Sequence, residues 1–198
     1  MLPALRASLV TWVLCGIAYP LAVTGLGQWL LPFQANGSLE KAADGTILGS
    51  RLIGQQWSGP QWFHGRPSAT IGIDPNDPAK TRAAPYNAAN SGGSNLGPTS
   101  KALADRVKED VEKLKSENPS MPVPVDLVTS SGSGLDPDIS PEGAAFQLAR
   151  VAKARNMPED KVRELVAQNT KARLVGIIGE PRVNVLVLNL ALDAASTK

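Results

Sequence analysis

From Ala7 to Leu39 the chain carries no charged side chain, and from Ser8 to Leu31 it reads SLVTWVLCGIAYPLAVTGLGQWLL. As a helix this stretch extends about 36 Å, enough to cross a hydrocarbon core of about 30 Å with some tilt. Trp12 and Trp29 stand toward its two ends, where indole rings favour the membrane–water interfaces. A cleavable signal peptide has a shorter apolar region and an A-x-A-like site after it, which this run lacks. A lipoprotein cysteine follows a small residue, whereas Leu14 precedes Cys15, and a buried soluble helix seldom runs so far without a charge. Arg6 and the amino terminus are the cations on the short side. The pattern therefore predicts residues 1–6 as a short cytoplasmic N-terminus, 7–33 as a single transmembrane helix and 34–198 as one extracytoplasmic domain. Ala18, Ala22 and Gly25 share one face of that helix and form a candidate contact for a partner helix; small residues are also common in any spanning segment, and Pro20 and Gly27 bend or loosen it.

Beyond the span, residues 34–100 are rich in Gly, Pro, Ser and Asn, with Thr46 to Ile53 as the one strand-like run. Leu103, Val107, Val111 and Leu114 recur at helical spacing among alternating charges, after a cap at Thr99 or Ser100 and before a stop at Asn118-Pro119. Pro122 to Thr129 reads as a short strand. Ser140 caps a helix with Pro141 in its first position and an apolar stripe of Ala145, Leu148, Ala149 and Ala152. A further helix starts at Pro158 and runs to about Thr170 on Val162, Leu165 and Val166, and Leu174–Ile178 and Arg182–Leu192 read as two strands around Gly179-Glu180-Pro181. The expected fold is α/β, with a small, mixed or antiparallel-containing sheet.

Composition narrows the chemistry. The 198 residues hold 20 Lys plus Arg against 18 Asp plus Glu, so a net charge of +2 gives no reason to expect nucleic acid as a partner. One Cys and one His exclude an intrachain disulfide and leave too few Cys/His ligands for a zinc site; His64, beside Trp62 and Phe63, reads as a packed aromatic before a general base. No phosphate-binding loop or nucleophile elbow occurs, and Gly132-x-Gly134 is followed by Asp136-Pro137 where a dinucleotide-binding turn would open a helix. Ser131, Ser133, Asp136, Asp138 and Ser140 crowd oxygen atoms into one loop; a turn with a helix cap is the reading, and a hard-cation site is the alternative. The aromatic loop around Trp57, Trp62, Phe63 and Arg66 and the Asn/Gly/Ser loop of residues 87–100, with Asn90 and Asn95, are candidate partner contacts, since polar loops with Trp and Arg anchors suit interfaces.

Four ordered segments carry a family resemblance: QWFHGRPSA (Gln61–Ala69), NAANSGGSNLGPTS (Asn87–Ser100), VPVDLVTSSGSGLDPDISPEGA (Val123–Ala144) and GEPRVNVLVLNLAL (Gly179–Leu192). They resemble the C subunit of the bacterial Kdp potassium-transporting P-type ATPase, over nearly the whole chain. The resemblance implies an accessory subunit, without catalysis of its own, in the bacterial inner membrane. It implies three partners besides the lipid bilayer: a potassium-conducting A subunit, an ATP-hydrolysing B subunit and a small single-span F subunit. It further implies a role in assembly and as a catalytic chaperone that raises the ATP affinity of the B subunit, with Gln168 as the nucleotide-linked position. No tightly bound cofactor is expected, ATP being reached through the B subunit. An outward-facing domain conflicts with direct contact to cytoplasmic ATP, so an indirect effect through the complex is the favoured reading. Without the family, a membrane-anchored periplasmic ligand-binding or hydrolytic domain is the alternative.

Overall fold

The computed structural model describes residues Met1–Ser196. The chain separates into two compact units, Met1–Ser50 and the residues from Arg51 onward.

The first unit opens with α1 (Leu2–Val13), a single π-helical turn (Leu14–Ala18) and α2 (Tyr19–Leu30), a continuous run of 29 residues with mean hydropathy 1.8 and no burial. It is long and apolar enough to cross a membrane. Pro20 explains the π turn: it has no N–H to give Gly16, and its ring crowds the carbonyl four residues back. The helix widens there, and the Tyr19 N–H reaches the Leu14 carbonyl. Pro32 ends the run by forcing Leu31 out of helical geometry, at φ −136°. A one-turn α3 (Pro32–Ala35) follows, then a hairpin of β1 (Leu39–Lys41) and β2 (Ile47–Ser50). The strand expected over Thr46–Ile53 is therefore shorter, and it stops before Gly54.

The second unit starts its regular structure with a hairpin that periodicity does not announce, β3 (Ile71–Asp74) against β4 (Asp77–Ala83). The turn between them is set by the Asp74 carboxylate, which accepts the Asn76 N–H at 2.9 Å. Next comes α4 (Lys101–Glu117), bounded by Ser100 and Asn118 as its sequence predicts, with Leu103, Val107, Val111 and Leu114 half-buried along one side. Residues 122–129 do not form a strand. Pro122 and Pro124 remove two ladder donors, and the segment folds instead into a 3₁₀ turn over Val125–Leu127.

That turn aims Asp126 at the start of the next helix. Strand β5 (Asp138–Ile139) leads into α5 (Pro141–Arg155), where Ser140 Oγ accepts the Gly143 N–H at 2.8 Å, while the Ser140 N–H and hydroxyl both donate to Asp126 at 2.7 and 3.0 Å. The expected cap is thus present and itself held by a carboxylate from 14 residues upstream. The apolar stripe of α5 differs from the expected one: Ala149 faces solvent, and Ala144, Phe146, Leu148, Val151 and Ala152 are buried. Helix α6 (Glu159–Gln168) buries Val162, Leu165 and Val166, as expected.

Strand β6 (Thr170–Lys171) is followed by β7 (Arg182–Asn184) in an antiparallel sheet of order β5-β7-β6. All strand pairs among the described residues are antiparallel. The expected strand over Arg182–Leu192 breaks after Asn184 and continues as α7 (Val185–Ser196). Asn184 makes the change, its side-chain carbonyl accepting the Val187 N–H at 3.1 Å in the manner of an N-cap. Val185, Leu188 and Leu192 then meet α5 and α6 residues in the core at helical spacing.

Leu188 is completely buried at the centre of that core. Leu188→Ala should lower unfolding free energy by about 2–5 kcal/mol, read from chemical unfolding in detergent, whereas Ala149→Leu on the solvent side of α5 should change it by no more than about 0.5 kcal/mol.

Candidate functional interface

The aromatic loop forms no strand, so its peptide groups must be satisfied by something else when they are buried. Two side-chain amides do this. Asn189 of α7, fully buried, accepts the Phe63 N–H at 2.9 Å and donates to the Phe63 carbonyl at 3.0 Å. Gln147 of α5, 3% exposed, accepts the His64 N–H at 2.8 Å and donates to the His64 carbonyl at 3.1 Å. Each amide pairs with one residue's backbone as a neighbouring strand would.

Two arginines of α5 complete the series. Arg150 donates to the carbonyls of Pro60 and Trp62 at 2.8 and 3.0 Å and to Gln147 Oε1 at 2.7 Å, and Arg155 Nε donates to the Gln61 carbonyl at 2.7 Å. Five successive carbonyls, from Pro60 to His64, are held by side chains of α5 and α7. The Arg155 guanidinium also lies 4.3 Å from the Trp62 ring centroid and pairs with Asp193 at 2.9 Å, while Trp62 packs on Trp57 with centroids 4.8 Å apart.

These contacts sort the candidate residues. Phe63, placed among partner contacts on sequence grounds, is fully buried in the core, so its ring anchors the loop and is closed to a partner. Trp57 and Trp62 are half-buried. Arg66 forms an internal ion pair with Asp136 at 2.9 Å, and its carbonyl accepts the Tyr86 hydroxyl at 2.6 Å. Asn90 is exposed and donates to the Ile71 carbonyl at 3.1 Å; Asn95 is exposed at a left-handed φ of 53°. Ala18, Ala22 and Gly25 are all exposed on the apolar helix, and Gly25 has open space about it. Gln168 sits on the exposed side of α6, where its amide donates to Glu164 at 3.1 Å.

The Ser131–Ser140 loop resolves as turn and cap. The Leu135 N–H donates to Ser133 Oγ and the Asp138 N–H to Asp136 Oδ1, both at 3.1 Å, and Asp136 and Asp138 pair with Arg66 and Arg182. No group of three or more His, Cys, Asp or Glu able to hold a metal ion occurs among the described residues. The same loop ties the Asn/Gly/Ser segment down: the Gly92 N–H and the Ser91 hydroxyl donate to the Ser133 carbonyl at 2.9 and 3.0 Å. Gly134 has φ +67°, and a Cβ there would meet the Gly92 carbonyl at 2.7 Å, so only glycine allows the two loops to lie this close.

Electrostatics follow burial. His64 lines a cavity of about 180 Å³ together with Asp110, Lys113, Glu117 and Arg150. Burial, then the Arg150 charge, push its pKa below the ordinary value, against the pull of the Gly59 carbonyl. Burial pushes Tyr86 up to about 12, with Asp136 adding to it.

Asn189→Leu keeps the branched outline of the side chain but strands the Phe63 N–H and carbonyl, and should cost about 2–5 kcal/mol of stability in denaturant titration. His64 is the one histidine, so its ring resonance in NMR reads a single titration, expected below the ordinary value near 6.5. Because the folded pKa is depressed, the unfolded chain takes up the proton first as pH falls. The stability contributed by neutral His64 is therefore present above about 6.5 and is lost as pH drops below it, and His64→Gln should flatten that dependence.

Comparison with known proteins extends this picture to the whole chain. A family profile described as "K+-transporting ATPase, c chain" matches residues 1–194. The Potassium-transporting ATPase KdpC subunit of Bradyrhizobium diazoefficiens is 66% identical over 196 residues, covering 99% of this chain and 97% of its own. That of Rhodopseudomonas palustris is 65% identical with the same coverage, and that of Methylobacterium nodulans is 64% identical over the full length of both chains. With its apolar membrane-anchoring helix and its mixed α/β region inside one unbroken match, the chain belongs to the KdpC family of K+-transporting ATPase subunits.

Proposed function

We propose that this chain is a non-catalytic accessory subunit of an ATP-driven potassium uptake complex in the bacterial inner membrane, needed for assembly of a potassium-conducting A subunit, an ATP-hydrolysing B subunit and a small F subunit. The observation that carries the reading is the family match over residues 1–194. The Arg6 side of the helix faces the cytoplasm and the residues from Arg51 onward lie outside, where they rest on the A subunit. The contact is made by the outer surfaces of the two loops. Ser58 and Pro60 are exposed on a loop whose backbone is already held in place, and Asn90, Asn95 and Leu96 are exposed on the other. A loop ordered in advance loses little conformational entropy on binding. On the membrane helix, the Ala18, Ala22 and Gly25 face admits a partner helix closely.

The chain binds no cofactor of its own, and any effect on the ATP affinity of the B subunit is transmitted through the complex. Gln168 is then a surface amide away from the nucleotide, engaged with Glu164 on the solvent side of α6.

Purification of the chain from native membranes should bring the A, B and F subunits with it; a lone chain that binds or turns over a small molecule would favour the periplasmic-domain alternative. A periplasm-active reporter fused after Lys198 should be active, and a signal from a cytoplasmic reporter alone would reverse the topology. Ser58→Arg and Leu96→Glu together should leave unfolding within about 0.5 kcal/mol of the parent, because both sites are exposed. They should reduce co-purified A subunit by about tenfold or more, equivalent to about 1.4 kcal/mol of lost affinity. Full assembly with both substitutions would remove these loops from the interface. Gln168→Ala should leave the complex's KM for ATP unchanged, and a several-fold rise would tie the side chain to the nucleotide affinity of the complex.

A further inference from the structure

The apolar helix holds a polar group that its own backbone leaves without a donor. At the π turn the Tyr19 N–H donates to the Leu14 carbonyl, one residue further back than in an α-helix, and so does not serve Cys15. The next residue, Pro20, has no N–H. The Cys15 carbonyl therefore loses both main-chain donors a helix can bring to it, the α donor of position 19 and the π donor of position 20. The Thr11 hydroxyl, one turn earlier, does not replace them, because it donates to the Ala7 carbonyl at 2.9 Å.

Depth makes this gap costly. Cys15 stands at the middle of the run Leu2–Leu30, so in a bilayer its carbonyl lies far from both headgroup layers. Lipid chains offer no donor there, and an unsatisfied carbonyl in hydrocarbon is strongly unfavourable. A groove of about 450 Å³ opens at the same level, lined by Thr11, Trp12, Cys15, Gly16 and Ile17. With the Thr11 hydroxyl already engaged, water in that groove would find few polar partners. A Cβ placed on Gly16 would meet nothing within 4 Å, so the backbone beside the bulge is bare and another helix can approach it closely.

We propose that the Cys15 carbonyl accepts a hydrogen bond, at the middle of the bilayer, from a hydroxyl or amide side chain on a transmembrane helix of a partner subunit that packs beside Gly16. The proposal rests on the accessory-subunit reading and adds the chemistry of one contact: the partner helix carries a donor at mid-depth, and Pro20 is the residue that keeps the acceptor free for it. One polar pair at a fixed depth sets the register of two otherwise apolar helices.

Cys15 is the one cysteine of the chain, so growth on cysteine with an isotope-labelled carbonyl carbon marks this group alone. The labelled full-length chain is placed in lipid bilayers by itself and after assembly with unlabelled A, B and F subunits, and the resonance is read by solid-state NMR. It should sit at the position of an unbonded carbonyl in the chain alone and move downfield, to that of a bonded one, in the complex. Pro20→Ala restores the missing N–H. It should give the bonded position in the chain alone, no further shift on assembly, and about threefold to tenfold less co-purified partner, the range of one interhelical hydrogen bond. Gly16→Leu, which puts a side chain into the open space, should leave the resonance unbonded in both settings. A bonded resonance in the parent chain alone would assign the donor to the Tyr19 hydroxyl, a second copy or water, and would overturn the proposal. An unshifted resonance in an intact complex, or undiminished co-purification with Pro20→Ala, would overturn it equally while leaving the subunit reading in place, since the A, B and F subunits would still be bound.

Discussion

Phe63 and His64 cross the interior outside any strand, and their four peptide groups are paired by two buried amides, Asn189 and Gln147. An unpaired buried peptide group costs about as much as a lost hydrogen bond, so without these amides the loop has no stable place against the helices. The pairing draws on residues 83 and 126 positions away along the chain, which makes it a tertiary lock with no local component. It seats the Phe63 ring among α5, α6 and α7, and the core and the loop therefore form as one structure.

Positive charge has a structural use in the same place. Arg150 and Arg155 are spent on loop carbonyls and on the face of Trp62, with Glu117 and Asp193 balancing them. A guanidinium offers several donors in a fixed plane, which suits it to gathering carbonyls that diverge from an irregular backbone. On the far side of the loop, Arg66 with Asp136 fastens the chain to the Ser131–Ser140 turn, and the Tyr86 hydroxyl, donating to the Arg66 carbonyl, ties in the segment after β4. Residues rich in Gly, Ser and Asn, compositionally like a linker, are thus organised by side-chain-to-backbone bonds in place of regular ladders. The outcome is a set of ordered loops that present exposed polar tips, a form suited to recognising other chains.

The membrane sets the second constraint. An apolar run of 29 residues without burial has no stable place in water, and it commits the chain to a bilayer before any partner is considered. Pro20 interrupts the helix at a cost the π turn absorbs, leaving Ala18 at the end of that turn and Ala22 and Gly25 of the small-residue face on α2 after it.

Local rules carried much of the helical structure. The cap at Ser140, the start of α4 at Ser100 (without a side-chain capping bond), the stop at Asn118-Pro119 and the spacing of Val162, Leu165 and Val166 are properties of neighbouring residues, and the structure keeps them. The family motifs and the charge-free span were equally legible, since both are written contiguously. Where alternation of Val and Leu after Arg182 suggested a strand, Asn184 redirected the chain into α7, because a cap and three core contacts at helical spacing outweigh β propensity. Asn189, which no local pattern singles out, is the most buried polar group of the loop's anchorage, while Phe63, read as available to a partner, is sealed inside. The amino-acid sequence by itself determined the membrane anchor, most helices and the family. Only the tertiary structure decided which aromatic, amide and arginine side chains hold the loops and which surfaces remain free, because those assignments depend on donors and acceptors far apart along the chain that meet only when the core closes.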